Sequence, residues 1–404
     1  MKSNAHRAHH LGLVRRADLL RGVALSHQDR GGSFKARSPG LDRASLVLGA
    51  VACCVDHGHA RGFQAIAKGA SLTQNRYLGR LLRELARKHQ GKISRAIQNA
   101  ISGVKDAATL TRIAQSIVAG RVDEALGAID VALRRGALDP IVTEITSAFT
   151  AGGTFAASRM VNEVFPVGRT PAGVTFQFNV LNPKTAEQVY NYSYSLISEI
   201  SSSIRETVRH VMTDGVISGR NPLDIARDLR DSIGLTERQT MAVENYRRLL
   251  ENGSSEALSR GLRDRRFDGT IEAGDLTPEQ IERMVERYRE RYVKYRSETI
   301  ARTEAIRSVN AGNLEMWRQA AEEGRVDPAA VRRFWIYTSD GEARDSHVEI
   351  PELNPDGVGL EEPFNSPLGP IMYPGDPGAL PGNTINCRCS LVIRYEPSLE
   401  RAQS

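Results

Sequence analysis

Two short stretches near the end of the chain carry the residue types that do chemistry. Asp345-Ser346-His347 supplies a carboxylate and an imidazole, and Cys387-Arg388-Cys389 supplies two thiols. On an extended chain, cysteines at i and i+2 point to one face and Arg388 to the other. Asp345, His347, Cys387 and Cys389 together offer an oxygen, a nitrogen and two sulfurs, a donor set for tetrahedral zinc if the two stretches lie side by side. The competing reading makes the cysteines small buried hydrophobes. The expectation is therefore no cofactor, with zinc as the metal this set would take.

Those stretches need elements to position them. Phe334, Trp335, Ile336 and Tyr337 form an apolar run that reads as a buried strand, followed by a turn at Asp340-Gly341. A Pro/Gly-rich excursion fills 351–382, and Ser390, Leu391, Val392 and Ile393 read as a last strand. Upstream, Thr277-Pro278-Glu279-Gln280 is a capping box that opens a helix. Its apolar face runs through Ile281, Met284, Val285, Tyr288, Tyr292 and Tyr295, with a break expected near Ser297. The pattern then resumes at Ile300, Ile306, Val309 and Trp317. This helix also carries Arg302, Thr303, Glu304, Arg307 and Asn310, of which Arg302, Glu304 and Asn310 cannot all fit one apolar seam. Either they form a solvated ion-pair face, Glu304 and Arg307 standing at i, i+3, or they dock the 344–347 segment.

The preceding chain reads as mainly helical. Residues 1–40 lack periodicity and are expected to be a basic arm, and 41–138 read as short helices joined by glycine breaks. The longest apolar run, 44–55, reads as a buried helix, being far short of the roughly 20 residues a membrane span needs. Cys53, Cys54, His57 and His59 match no usual zinc spacing. Residues 139–183 are punctuated by Pro and Gly and read as a boundary region, with one alternating strand at Val174, Phe176, Phe178 and Val180. An amphipathic helix is expected over 185–212. A second opens at Asn221-Pro222 and stops at Gly234, and a third opens on the Thr236 to Gln239 capping box. The charged interval 260–268 reads as an exposed loop. The fold class is mainly α with a small α+β C-terminal domain, divided as 1–40, 41–170, 171–276, 277–396 and a tail at 397–404.

Composition narrows the function classes. The 404 residues are 40% hydrophobic and hold four cysteines, which suits a helix-rich chain of two or three domains from a reducing cytoplasm rather than a disulfide scaffold. No secretory signal is visible at the front. The net charge of +6 is unevenly spread. Residues 1–110 carry 19 Lys/Arg against 6 Asp/Glu, and the remainder carries 35 against 42. Such a basic front can neutralise phosphates without reading sequence, or be a solvated surface. Phe34, Phe63 and Tyr77 are its aromatics, too few for a base-stacking platform. A phosphate-cradling loop, a nucleophile elbow and a zinc-protease helix motif are all missing.

Taken in order, the residues of the last hundred positions resemble the phage Mu protein F-like minor head family, also called phage head morphogenesis proteins. The resemblance is carried by Ala301-Arg302-Thr303-Glu304, Asn310, Trp317, the strand at Trp335, and Arg344-Asp345-Ser346-His347. Pro374-Gly375-Asp376-Pro377 and Ile385-Asn386-Cys387-Arg388-Cys389 complete it. A weaker likeness reaches back to about residue 180. The resemblance implies a virion component present in few copies, made in the host cytoplasm and placed inside the head at the portal vertex. Its implied partners are the portal protein, capsid or scaffold proteins and packaged or ejected DNA, with no membrane. The family's helix motif falls on Arg302, Thr303 and Glu304, and its later positions on Arg344, His347, Cys387 and Cys389.

Two functions follow from these readings. In the first, the chain is an assembly protein whose C-terminal module docks, with Arg302, Thr303, Glu304, Asn310, Trp335, Arg344, Asp345, His347, Asn386 and Arg388 as docking or structural residues and no catalytic ones. In the alternative, Glu304, Asp345, His347 and the two cysteines form a metal-dependent hydrolase or nuclease.

Overall fold

The computed structural model describes residues 60–105, 138–165, 169–218 and 221–397, with isolated positions between 115 and 127. The expected arm at 1–40, the apolar run at 44–55 and the Cys53 to His59 cluster lie outside the described residues. So does the tail from 398 onward.

Helices dominate: α1 Ala60–Val104, α2 Asp139–Val164, α3 Pro183–Ile217, α4 Pro222–Ser232, α5 Glu237–Glu251, α6 Asp268–Ala273 and α7 Pro278–Glu322. Two strands near the C-terminus, β1 Val331–Ile336 and β2 Ser390–Tyr395, pair antiparallel with Trp335 opposite Leu391. The fold is thus mainly α with a small α+β C-terminal region. Three single-turn helices decorate that region: α8 Asp345–Val348, α9 Ile350–Leu353 and α10 Pro381–Thr384.

The organising element is α7. It lies along both α1 and α2, and also touches β2. Where α2 crosses α7, Gly152 and Gly312 bring backbone against backbone. A Cβ on Gly312 would fall on the Phe149 carbonyl oxygen, and one on Gly152 on the Val309 carbonyl oxygen. Glycine is required here because no side chain fits between the two ladders. Below that crossing, Leu82, Ile93, Ile97, Ile145, Ile204, Leu229, Ala305 and Val309 share one core drawn from α1, α2, α3, α4 and α7. Around Trp317, Trp335 and Phe364 a second core joins α2 and α7 to the strands and the Pro/Gly-rich excursion. A smaller third one, around Tyr246, Val285 and Tyr288, seats α5 on the first half of α7. The cores therefore cross the lines expected at 170 and 277.

Several expectations are corrected. Residues 60–104 form one continuous helix that runs through Gly79 and Gly91 without a break. Ile336 packs on Gly79, where an added Cβ would stand 2.9 Å from its Cγ2. The punctuation at 139–164 is helical, since Pro140 occupies the first turn, where its missing N–H is harmless, and Gly152-Gly153 mark the crossing. No strand forms at 174–180. The segment has no partner strand among the described residues, and its backbone is held by Gln319, which accepts from Asn179 N at 3.0 Å and donates to Asn179 O at 2.9 Å. The helix is unbroken at Ser297, whose hydroxyl donates to Val293 O at 2.8 Å. The 260–268 interval is tied down: Asp264 is 2% exposed, and Arg266 and Arg291 hold its carboxyl down to about pKa 2, the Arg266 hydrogen bonds contributing most. Both capping boxes form, with Thr236 and Thr277 accepting from Gln239 N and Gln280 N. Among the described residues, no helix is long and apolar enough to cross a membrane.

Candidate functional site

The polar residues of α7 between 302 and 313 are directed at the C-terminal segment. Thr303 Oγ1 accepts from Asn386 N at 3.0 Å, and Arg302 Nη1 donates to Asn386 Oδ1 at 3.1 Å. Asn386 sits at φ +60°, a left-handed conformation that Asn tolerates better than most residues. Pinned there from two sides, it swings the chain into Cys387-Arg388-Cys389. Two turns further along α7, Asn310 Oδ1 accepts from Leu391 N at 2.9 Å and Asn313 Nδ2 donates to Leu391 O at 2.8 Å. The two amides thus satisfy the outward N–H and C=O of Leu391 as a third strand would, blunting that point of an edge that would otherwise invite pairing. Asn310 Nδ2 also donates to Ile306 O at 2.8 Å, and Arg307 donates to the Gly375 carbonyl.

These groups hold the 374–391 segment and do not dock 344–347, the object expected from the sequence. Arg344 instead donates to the Ile385 carbonyl. Arg388 faces outward, 3.3 Å from Glu342 and 3.8 Å from Asp340. β2 is further fixed to the N-terminal helices, where Ser390 Oγ donates to Gly79 O at 2.8 Å and Arg394 pairs with Glu163 at 2.6 Å.

Glu304 is buried, 3.4 Å from Arg307. Burial raises its carboxyl above the usual carboxylate range, with Arg307 pulling the other way. Unfolded, a glutamate titrates near about pH 4.3, so between that value and the folded one the native state holds the extra proton. Its contribution to stability is present below about pH 4.3 and is lost as pH rises through the folded pKa. Glu304→Gln should therefore gain on the wild type as pH rises from 4.5 to 7.5 in urea titrations. A pH-independent difference between the two would refute this.

The second cluster is His347, Cys387 and Cys389, each 1 to 2% exposed. Their donor atoms all lie within 4.8 Å of one another. Asp345, expected among them, is exposed and outside the group. The cause is local: 345–348 is a helical turn, so residues two apart diverge by about 200° and do not share a face. Trp335 closes the cluster edge-on, its ring centroid 5.3 Å from that of His347. Burial pushes both thiols up, but hydrogen bonding with Cys389 holds Cys387 well below a normal thiol, while Cys389, beside it, stays well above.

Reasoning from the sequence missed Arg333, Asn313 and Asn383. Arg333, 0% exposed within β1, donates to Gly359 O at 2.8 Å, Met372 O at 2.5 Å and Glu362 O, tying three points of the Pro/Gly-rich excursion to the sheet. Burial pushes its guanidinium down to about 10. Only its position next to an apolar run could have flagged it.

Residues 256–392 match the family model described as Phage Mu protein F like protein. The match covers the C-terminal part and begins upstream of the last hundred residues, in the turns that follow α5. No curated protein and no solved structure matches the chain.

Proposed function

We propose, from a C-terminal part that is Phage Mu protein F-like, that the chain is a minor head protein of a tailed phage or prophage, set at the portal vertex and contacting DNA through its basic front. The observation that carries this reading is where the family-motif polar groups are spent. Thr303, Glu304, Asn310 and His347 are all 5% exposed or less, and their bonds go to the chain's own backbone and side chains. A hydrolytic site needs such groups open to substrate, so their burial supports a docking module over the metal-dependent hydrolase alternative. The basic front has a described portion on α1. Arg76, Arg80, Arg87, Lys88, Lys92 and Arg95 are exposed there, mostly at three- and four-residue intervals, so they run along one side of the helix.

The experiment is the composition of purified, DNA-filled heads. The proposal expects this chain in them at a small fraction of the major capsid protein, cross-linking to the portal. Absence from heads, with the chain left in the soluble lysate, would overturn it. For the DNA contact, the full chain should bind duplex with an affinity that falls steeply as salt rises, and absent or salt-insensitive binding would remove that part.

A further inference from the structure

We propose that His347 Nδ1 and the Cys387 and Cys389 sulfurs form a buried site for one thiophilic d10 cation, zinc first, which staples the 344–348 turn to the approach to β2. Zn–S bonds near 2.3 Å and Zn–N bonds near 2.0 Å at tetrahedral angles put nitrogen and sulfur donors about 3.5 Å apart. Here Nδ1 stands 3.7 Å from Cys387 Sγ and 3.5 Å from Cys389 Sγ.

The tautomer of His347 follows from a chain of hydrogen bonds. Ser366 Oγ donates to Gly369 O at 2.5 Å, so its lone pair accepts Asn383 Nδ2–H at 3.0 Å. That turns Asn383 Oδ1 toward His347 Nε2, 3.0 Å away. An amide oxygen only accepts, so Nε2 carries the hydrogen and Nδ1 presents its lone pair to the sulfurs. A carbonyl-type acceptor on the far nitrogen is the outer support that metal-bound histidines use.

One sulfur is supported as a thiolate would be: Cys387 Sγ accepts Cys389 N–H at 3.4 Å. Trp335, edge-on to His347, has its buried indole N–H without a hydrogen-bond partner. Without a cation, two sulfurs compete for one imidazole lone pair. A cation satisfies all three donors, and two thiolates cancel the charge of Zn²⁺ in this apolar pocket. Thiol, imidazole and amide also occur together in cysteine hydrolases, but these sulfurs lie in the core with Phe364 and Ile350, closed to an acyl substrate.

The test is metal content of the full chain after purification without chelator, with zinc and copper measured separately. About one equivalent of zinc is expected. It should fall to background in Cys387→Ser/Cys389→Ser and persist in Asp345→Ala, in His210→Ala and in Cys53→Ser/Cys54→Ser. One equivalent of copper in place of zinc would correct the ion and keep the site. Because the double serine variant can fail to fold, cobalt(II) loading of the wild type gives a second readout. Thiolate-to-cobalt charge-transfer absorption with tetrahedral d–d bands is expected. Zinc lost in the Cys53/Cys54 variant but kept in Cys387→Ser/Cys389→Ser would overturn the proposal. So would a folded, zinc-supplemented wild type that holds no metal and gives no thiolate–cobalt band.

Discussion

Gly312→Ala should destabilise the protein by about 3 kcal/mol, although alanine is the better helix former. Overpacking a tight contact costs about 1–3 kcal/mol and occasionally more. Here the new methyl would meet the Phe149 carbonyl oxygen rather than a side chain that can rotate away. Relief requires α2 and α7 to separate, which opens the two main cores on either side of the crossing. The effect must also outweigh the roughly 1 kcal/mol by which alanine exceeds glycine in a helix. That offset supplies the control. Gly103 in α1 is exposed, with nothing within 4 Å of a new Cβ, so Gly103→Ala should be neutral or stabilising. Urea unfolding of both variants checks the contrast; equal effects would show that the crossing is not in backbone contact.

The second large effect is expected at Arg333. Removing its guanidinium in Arg333→Met keeps the side chain's apolar bulk but leaves the carbonyls of Gly359, Glu362 and Met372 without their donor. Each buried acceptor left without a donor costs about 1–3 kcal/mol, and lysine, a single point charge, should recover less than half of the loss. The loss should be local as well as global, because those carbonyls are spread over the 359–372 excursion. Limited proteolysis should cut that excursion in Arg333→Met before it touches α1 or α7. A loss below about 1 kcal/mol with the excursion still resistant would contradict the role given to this residue.

Both positions show where the sequence was legible and where it was not. Capping boxes at Thr236 and Thr277 are local devices, complete within four residues, and they could be read directly. The helical class, the two strands, and the gathering of His347 with Cys387 and Cys389 were also visible, since periodicity and paired donors leave marks along the chain. Glycines 79, 152 and 312 were not, because a glycine that ends a helix and one that admits a crossing neighbour look alike until the neighbour is placed. Phe176 and Phe178 alternate like a strand but pack as an extended cover on α2, beside Gly153, with no ladder to join. Asp345 failed as a ligand for a similar reason: shared direction at i and i+2 holds for extended chain, and 345–348 is a turn of helix. Asn313 and Asn383 act through backbone and through another side chain, contacts that residue type alone does not announce.

The polar row of α7 clamps the C-terminal strand. Amide hydrogen exchange at Leu391 measures this directly, since that N–H is held by the Asn310 side chain and not by β1. Exchange should be slow in the wild type. In Asn310→Ala it should accelerate about ten- to hundred-fold, the equivalent of one lost buried partner, while the amides of α2 change little. A Leu391 amide that exchanges freely in the wild type, or whose rate ignores Asn310→Ala, would contradict the clamp.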